Sequence, residues 1–367
     1  MVKKTSGLSR EFIIHPGETL KEILEDREMS QRELAVRTDV TETHISNVVN
    51  CQKDISISFA KKLEYALNVE ASFWINLQSN YDKELADFNE VNNISSDEFD
   101  ILKKLDDIVD YMKQIKIVDD ENNDSLLIIM LRKLLNLSSL TRIPDISQSG
   151  AYRLAESTNA DPYILFTWLR LCDLVASNYR IDESLDIEKL KERIPLIKEL
   201  MFESVVNIQP RLREVFAECG IKFLIIKHFR GAPVQGVIKK DSDGSLSLIM
   251  TNRHKFADIF WFTLFHEIGH IINDDIVDQL IDYESMDNEA EKRANEFASN
   301  TLIESEKYKR FIEKGDYSLD HINRFCQEIG VPNYILIGRL QKDGYLKYHH
   351  YTTEKVKYEI EDLDVLI

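Results

Sequence analysis

The apolar positions in the first 80 residues recur at helical spacing. Leu20, Ile23 and Leu24 share one face. Ser30-Gln31-Arg32-Glu33 has the form of a capping box, with Ser30 accepting from the backbone and Glu33 reaching back, so a helix is predicted from about Gln31 to Thr38. Asp39-Val40 breaks it. Thr41 caps a second short helix that turns Ile45, Val48 and Val49 inward, and a further helix from Ser58 buries Leu63, Ala66 and Leu67. Helix, short turn, helix is the spacing of a helix-turn-helix.

Beyond residue 85 the helical pattern continues. Leu102, Leu105, Ile108, Val109, Met112 and Ile115 follow a Ser95 to Glu98 capping box, and the acidic run Asp119 to Asp124 reads as a solvated loop before a helix over Leu126 to Leu137. A third stretch, Tyr152 to Ser177, is rich in aromatic and aliphatic residues and is expected to pack as an internal helical pair. Strand patterns come late, at Ile221 to Ile226, Val234 to Ile238 and Ser245 to Met250, the last after an Asp241-Ser242-Asp243-Gly244 turn. The segment after Tyr345 has no period and is expected to be mobile. The predicted fold is mainly α with a small β-sheet. Its parts are a helix-turn-helix bundle over residues 1–84, a helical middle over 85–195, an α+β domain over 196–345 and a tail over 346–367.

Composition agrees with long helices and few tight turns, for only 12 glycines and 7 prolines occur in 367 residues. The four cysteines lie far apart with no CxxC, which argues against a disulfide framework or a thiolate zinc knuckle. No apolar run approaches a membrane span, and Lys3-Lys4 leads into no signal-peptide core, so a cytoplasmic protein without membrane contact is expected. The net charge of −18 excludes non-specific attraction of a phosphate backbone by the whole chain. Residues 1–80 hold 10 basic against 12 acidic side chains, so the acid surplus falls on the remainder and any nucleic-acid surface should be N-terminal.

The chemistry concentrates in Phe260 to Ile272, a largely apolar helix containing His266-Glu267-Ile268-Gly269-His270. Positions i and i+4 lie about 40° apart and one turn along, so both imidazoles can reach one zinc ion while Glu267 stands beside it as general base. An apolar helix should be buried, and buried His, Glu and His side chains need a compensating partner such as a metal. A zinc hydrolase also requires a third protein ligand and an open fourth position. The extended motif with a third histidine is excluded by Asn273 and Ile276. Downstream, Ala290, Ala294, Phe297 and Ala298 mark an amphipathic helix on which Glu291 can bind the metal while Asn295 orients a ligand histidine. Glu289 is the main rival ligand. Asp274, Asp275 and Glu284 are further candidates, more readily placed on a solvated connection.

Phe262 to His270, followed by Glu291 to Ala298, resembles the ImmA/IrrE family of zinc metallopeptidases, whose pattern reads approximately FTLxHELGH and then ExxANxFA. The resemblance spans about residues 200 to 345. It implies a gluzincin-like core with one zinc per chain held by His266, His270 and Glu291, with Glu267 as general base and site-specific cleavage of helix-turn-helix repressors as the activity. Over roughly residues 11 to 85, His15-Pro16-Gly17-Glu18, Ser30 to Ala35, Ile45-Ser46 and Phe73 to Gln78 resemble HigA-type antitoxins of the XRE helix-turn-helix class. That resemblance implies repression of an operon, a toxin partner and a homodimer.

The second helix of the pair, Thr41 to Asn50, carries no Lys or Arg, and its Glu42 repels phosphate. Asn47 or His44 is then the candidate reader of base edges, with Gln31, Thr41, Thr43 and Lys53 as further DNA-contacting candidates. The expected function is a DNA-binding, antitoxin-like regulator with a zinc-dependent endopeptidase domain. Operator DNA and a toxin or repressor are its expected partners, and an edge of the sheet could receive an extended peptide. His321 and Tyr334 are the candidate oxyanion donors. The rival reading is a non-proteolytic antitoxin that neutralises a toxin by binding, with a structural or sensory zinc domain.

Overall fold

The computed structural model describes residues 10–120, 123–147, 160–241, 243–251, 253, 255–276, 279–283 and 289–358. The chain divides into two compact units, residues 1–99 with 123–129 and residues 100–122 with 130–367.

The first unit begins with helices α1 (Pro16–Asp26), α2 (Gln31–Thr38), α3 (Glu42–Val49), α4 (Ile57–Leu67) and α5 (Ala71–Asn92). Their inward faces meet in one core, in which Leu20, Leu34, Ile45, Val48, Leu63 and Trp74 are fully buried. Each such aliphatic side chain contributes roughly 1.5–3 kcal/mol of burial. Ser30 Oγ accepts from Glu33 N at 3.1 Å and Thr41 Oγ1 from His44 N at 3.2 Å, so both helices of the pair start where their caps predict. The reciprocal half of the first capping box does not form, because the Glu33 carboxylate instead accepts from Arg37 one turn on. Asp39 takes the left-handed conformation (φ 50°) that ends α2. In the Phe73 to Gln78 motif, Gln78 ties α5 to the loop before α4 by accepting from Ile55 N at 2.9 Å.

Helices α6 (Ser96–Lys104), α7 (Asp106–Gln114) and α8 (Asp124–Leu134) follow. The continuous helix expected through Leu102 and Ile115 is two helices, because Leu105 leaves helical geometry (φ −89°, ψ 3°) while staying buried. In the acidic run, Glu121 and Asn122 lie outside the described residues; Asp119 and Asp120 are exposed loop. After α9 (Ile143–Ser147), the stretch expected from Tyr152 is described from residue 160, where α10 (Pro162–Asn178) starts on the Asp161 cap. Helices α11 (Ile187–Glu199) and α12 (Val205–Ala217) lead into the sheet.

Among the described residues the sheet has four strands, β1 (Ile221–Ile226), β2 (Val234–Lys240), β3 (Leu246–Thr251) and β4 (Gln279–Tyr283), in the order β1-β3-β2-β4. β1 and β3 pair parallel with Phe223 opposite Leu248, whereas β2 pairs antiparallel with both β3 and β4. β4 was not expected, and it pairs along the side of β2 away from β3. Every position of β1 and β3 is buried, as strands covered on both faces require. Lys222 tolerates this by donating to Asp243 at 2.9 Å and lying 3.2 Å from Asp241.

The further α-helices among this unit's described residues are α13 (Ala257–Ile272), α14 (Glu289–Leu302), α15 (Ser305–Lys314), α16 (Leu319–Ile329) and α17 (Asn333–Lys342). The segment after Tyr345, expected to be mobile, is tied to the core at the end of its described part, Val356 to Tyr358. Ala257 N donates to Val356 O at 3.0 Å, Tyr358 N donates to Lys255 O at 2.6 Å, and Trp261 Nε1 donates to Tyr358 Oη at 2.8 Å. These contacts join residues about 100 positions apart, so no local period announces them. Residues 359–367 lie outside the described residues.

Candidate metal centre and helix-turn-helix face

α13 is apolar nearly all round, and its Trp261, Leu264, Phe265 and Ile268 are fully buried, which drives the helix into the core and carries His266, Glu267 and His270 with it. α14 is amphipathic, with Glu291, Ala294, Ala298 and Leu302 on its buried face. Gly269 makes the approach of the two helices possible, since a Cβ there would stand 3.1 Å from Ala294 Cα. Close packing of small residues thereby sets Glu291 opposite the histidine pair.

The three side chains converge through their ligand atoms. His266 Nε2 and His270 Nε2 are 3.0 Å apart, His266 Nε2 lies 3.1 Å from Glu291 Oε2, and His270 Nε2 lies 3.4 Å from Glu291 Oε1. Ligand atoms about 2.0–2.1 Å from a tetrahedral metal stand about 3.3 Å from one another, so this spacing fits one small divalent ion. Among the described residues these three are the one His/Cys/Asp/Glu group that could hold a metal. Burial alone would raise the Glu291 carboxyl, yet hydrogen bonds from His266 and His270 and their charges hold it at about 2. For His270, burial opposes protonation, but Glu291 and Asp275 outweigh it and raise the imidazole above its ordinary value.

Both rings are oriented from behind. With Nδ1 protonated, His266 donates to Asn295 Oδ1 at 3.2 Å and His270 donates to Asp275 Oδ2 at 3.1 Å. Asp275 also accepts from Arg293 through Oδ1. Asp275 is therefore not part of a solvated connection, its side chain being 6% exposed. The turn that ends α13 folds it back under His270, with Asp275 N donating to His270 O at 3.1 Å. Glu289 is exposed and paired with Lys292 at 3.0 Å, and Asp274 is exposed, 3.7 Å from Lys240. Glu284 lies outside the described residues.

Glu267 is completely enclosed. Gly236 in β2 admits its carboxylate, because a Cβ at that position would stand 2.2 Å from Glu267 Oε1. A cleft of about 560 Å³ begins at His266 and Glu291. His321 and Tyr334 do not line it: His321 stacks on Phe311, and Tyr334 Oη donates to Met201 O at 2.8 Å.

In the helix-turn-helix, the expected DNA-facing residues differ in availability. Thr43 and Lys53 are exposed, and Gln31 and Asn47 are half-buried. Thr41 is exposed but spends its hydroxyl on the α3 cap. His44 is turned inward: its ring packs edge-to-face on Phe59 at 4.8 Å, its Nε2 is enclosed, and its Nδ1 lies 3.1 Å from Lys53 Nζ. Burial, then the charges of Lys53 and Lys62, lower its pKa, so the neutral ring supports Lys53 rather than carrying charge of its own.

Residues 20–74 match the helix-turn-helix family and residues 234–340 match the IrrE N-terminal-like domain, a peptidase family. The chain carries an XRE-type helix-turn-helix domain and an IrrE-like domain. The helix-turn-helix region has small relatives. The chain is 36% identical over 69 residues to virulence-associated protein A' of Dichelobacter nodosus, a stretch that is 18% of this chain and 60% of that protein. The chain thus spans only that share of its curated relative. Among solved structures, it is 36% identical to Pseudomonas aeruginosa antitoxin HigA with the higBA promoter, covering 20% of this chain and 80% of that one at a TM-score of 0.20. An addiction module antidote protein of the HigA family from Coxiella burnetii is 26% identical, covering 27% of this chain and 91% of that one at a TM-score of 0.19. No helix among the described residues is long and apolar enough to cross a membrane.

Proposed function

We propose that the chain is a DNA-binding, antitoxin-like regulator joined to a zinc-dependent endopeptidase that hydrolyses a peptide bond in a protein partner, be it a repressor, a toxin or the chain itself. The observation that carries the enzymatic half is the convergence of His266, His270 and Glu291 at tetrahedral spacing, next to Glu267 on the same helix. Bound zinc supplies a Lewis acid that polarises the scissile carbonyl and acidifies a water. His266 and His270 hold it through Nε2 and Glu291 through its carboxylate, while Asn295 and Asp275 fix the two rings. Glu267 takes the proton of the attacking water on its carboxylate and delivers it to the leaving amine nitrogen.

The family match over residues 20–74 supports operator binding. On this reading Thr43 and Asn47 of α3 meet bases and Gln31 and Lys53 meet phosphate or base edges, with His44 behind Lys53 and Thr41 kept as the α3 cap. A homodimer on two half-sites, in the cytoplasm, fits a recognition helix this poor in cations.

The test is cleavage of proteins encoded beside this gene, repressor and toxin alike, by wild type and by Glu267→Gln. Wild type should yield two fragments, and the variant should hold zinc and yield none. Full cleavage by the variant removes the role of Glu267. Equal toxin neutralisation by both proteins without fragments establishes the non-proteolytic antitoxin instead.

A further inference from the structure

The cleft runs along one face of α13. His266, Phe262 and Asp258 stand at successive i, i−4 and i−8 positions, so its floor extends about 12 Å from the metal centre, the reach of three to four extended residues. Three cations and two carboxylates line it beyond the metal ligands. Lys355 lies 3.2 Å from Asp258, with both side chains at least 90% buried, and Arg339 lies 3.9 Å from Asp343 while donating to the carbonyls of Ser299 and Ile303. Those two pairs cancel. Lys342 remains: it is exposed, has no carboxylate in ion-pair range among the described residues, and holds Nζ 4.2 Å from the centroid of the Phe262 ring. That ring is 6.4 Å from the ring of His266, so the uncompensated ammonium stands one helical turn from the metal centre.

Beyond the metal ligands the described lining thus carries one uncompensated positive charge in a chain of net charge −18, whose overall field disfavours an acidic ligand except where a local cation offsets it. We propose that Lys342 is a specificity-determining residue, selecting an extended peptide that places a Glu or Asp side chain over Phe262. The peptide methylenes cover the ring and the carboxylate meets Nζ in place of water. This deepens the peptidase reading and rests on it for the orientation of the peptide toward the metal.

The test uses full-length, zinc-loaded Glu267→Gln protein and short peptide hydroxamates that differ in one residue, Glu, Gln or Lys, at the first or second position from the zinc-binding group. The Glu peptide should bind on the order of fivefold tighter than the Gln peptide at one of those positions, the scale of one ion pair near a surface. Lys342→Ala should erase the preference, and Lys342→Glu should turn it toward Lys. An unchanged preference in either variant, no preference in wild type, or no hydroxamate binding at all overturns the proposal. Amide versions of the same peptides given to wild type test hydrolysis separately. Binding with the expected preference but without cleavage retains the Lys342 subsite and removes the peptidase, whereas cleavage indifferent to charge does the reverse.

Discussion

Asp275 joins His270 to Arg293, accepting from His270 Nδ1 at 3.1 Å with one oxygen and from Arg293 with the other. The carboxylate fixes the ring orientation that aims His270 Nε2 at Glu291, and Arg293 fixes the carboxylate. Asp275→Ala should therefore weaken zinc binding by about 10- to 100-fold without unfolding the domain. Arg293→Ala should weaken it less. Competition with a chelator of known affinity measures both, and an Asp275→Ala protein that binds zinc as tightly as wild type removes Asp275 from the site.

Gly236 faces Glu267 so closely that a methyl group would stand 2.2 Å from the carboxylate. Gly236→Ala should displace Glu267 and abolish hydrolysis while zinc content stays near that of wild type. Loss of zinc together with activity would mean that the sheet supports the ligands and not the base.

Protons and metal compete at the same atoms. In the metal-free chain His270 has a raised pKa, so its protonated form stabilises the fold below the ordinary imidazole value near 6.5, and that contribution is lost as pH rises through the raised value. Glu291, depressed to about 2, adds stability above its unfolded value of 4.5 and loses it only as pH falls through about 2. Zinc must displace the His270 proton, so the rise in melting temperature on adding zinc should grow with pH between about 5 and 8. A zinc-induced shift that shrinks over that range contradicts the assignment of His270 as a ligand.

The Trp261–Tyr358 hydrogen bond ties the C-terminal segment to α13. Tyr358→Phe leaves a buried indole N–H without that acceptor and should cost about 1–3 kcal/mol. Denaturant unfolding of the two proteins gives the difference, and equal stability would mean that the segment is only laid against the core.

The spacing of His266 and His270 with Glu267 beside them, and of Glu291 with Asn295, was legible because each is a relation within one helix, where spacing fixes direction. Ser30 and Thr41 were legible for the same reason, as caps adjoining what they cap. Asp275 was not, for its partner lies across a turn through Asp274 in the left-handed conformation (φ 54°), and the pattern there reads as polar loop. β4 is a short strand defined by pairing with β2 across an intervening helix, and the order of the sheet follows from that long-range pairing. His44 looked like a base reader by its position on α3; packing against Phe59, from the next helix, turned it inward.

That inward turn gives a distinct expectation for DNA. Lys53→Ala should weaken binding across operator sequences alike and reduce the salt slope by about 1, as loss of one phosphate contact does. His44→Ala should lower stability and act on DNA only through Lys53. A selective change of base preference in His44→Ala would place the ring in the groove after all.

Elemental analysis of the full-length protein, purified without added zinc, beside His266→Ala tests the metal centre most directly. About one zinc per chain is expected in wild type, with loss of it in the variant. Retention of the same zinc content by His266→Ala, or failure of wild type to bind added zinc, contradicts it.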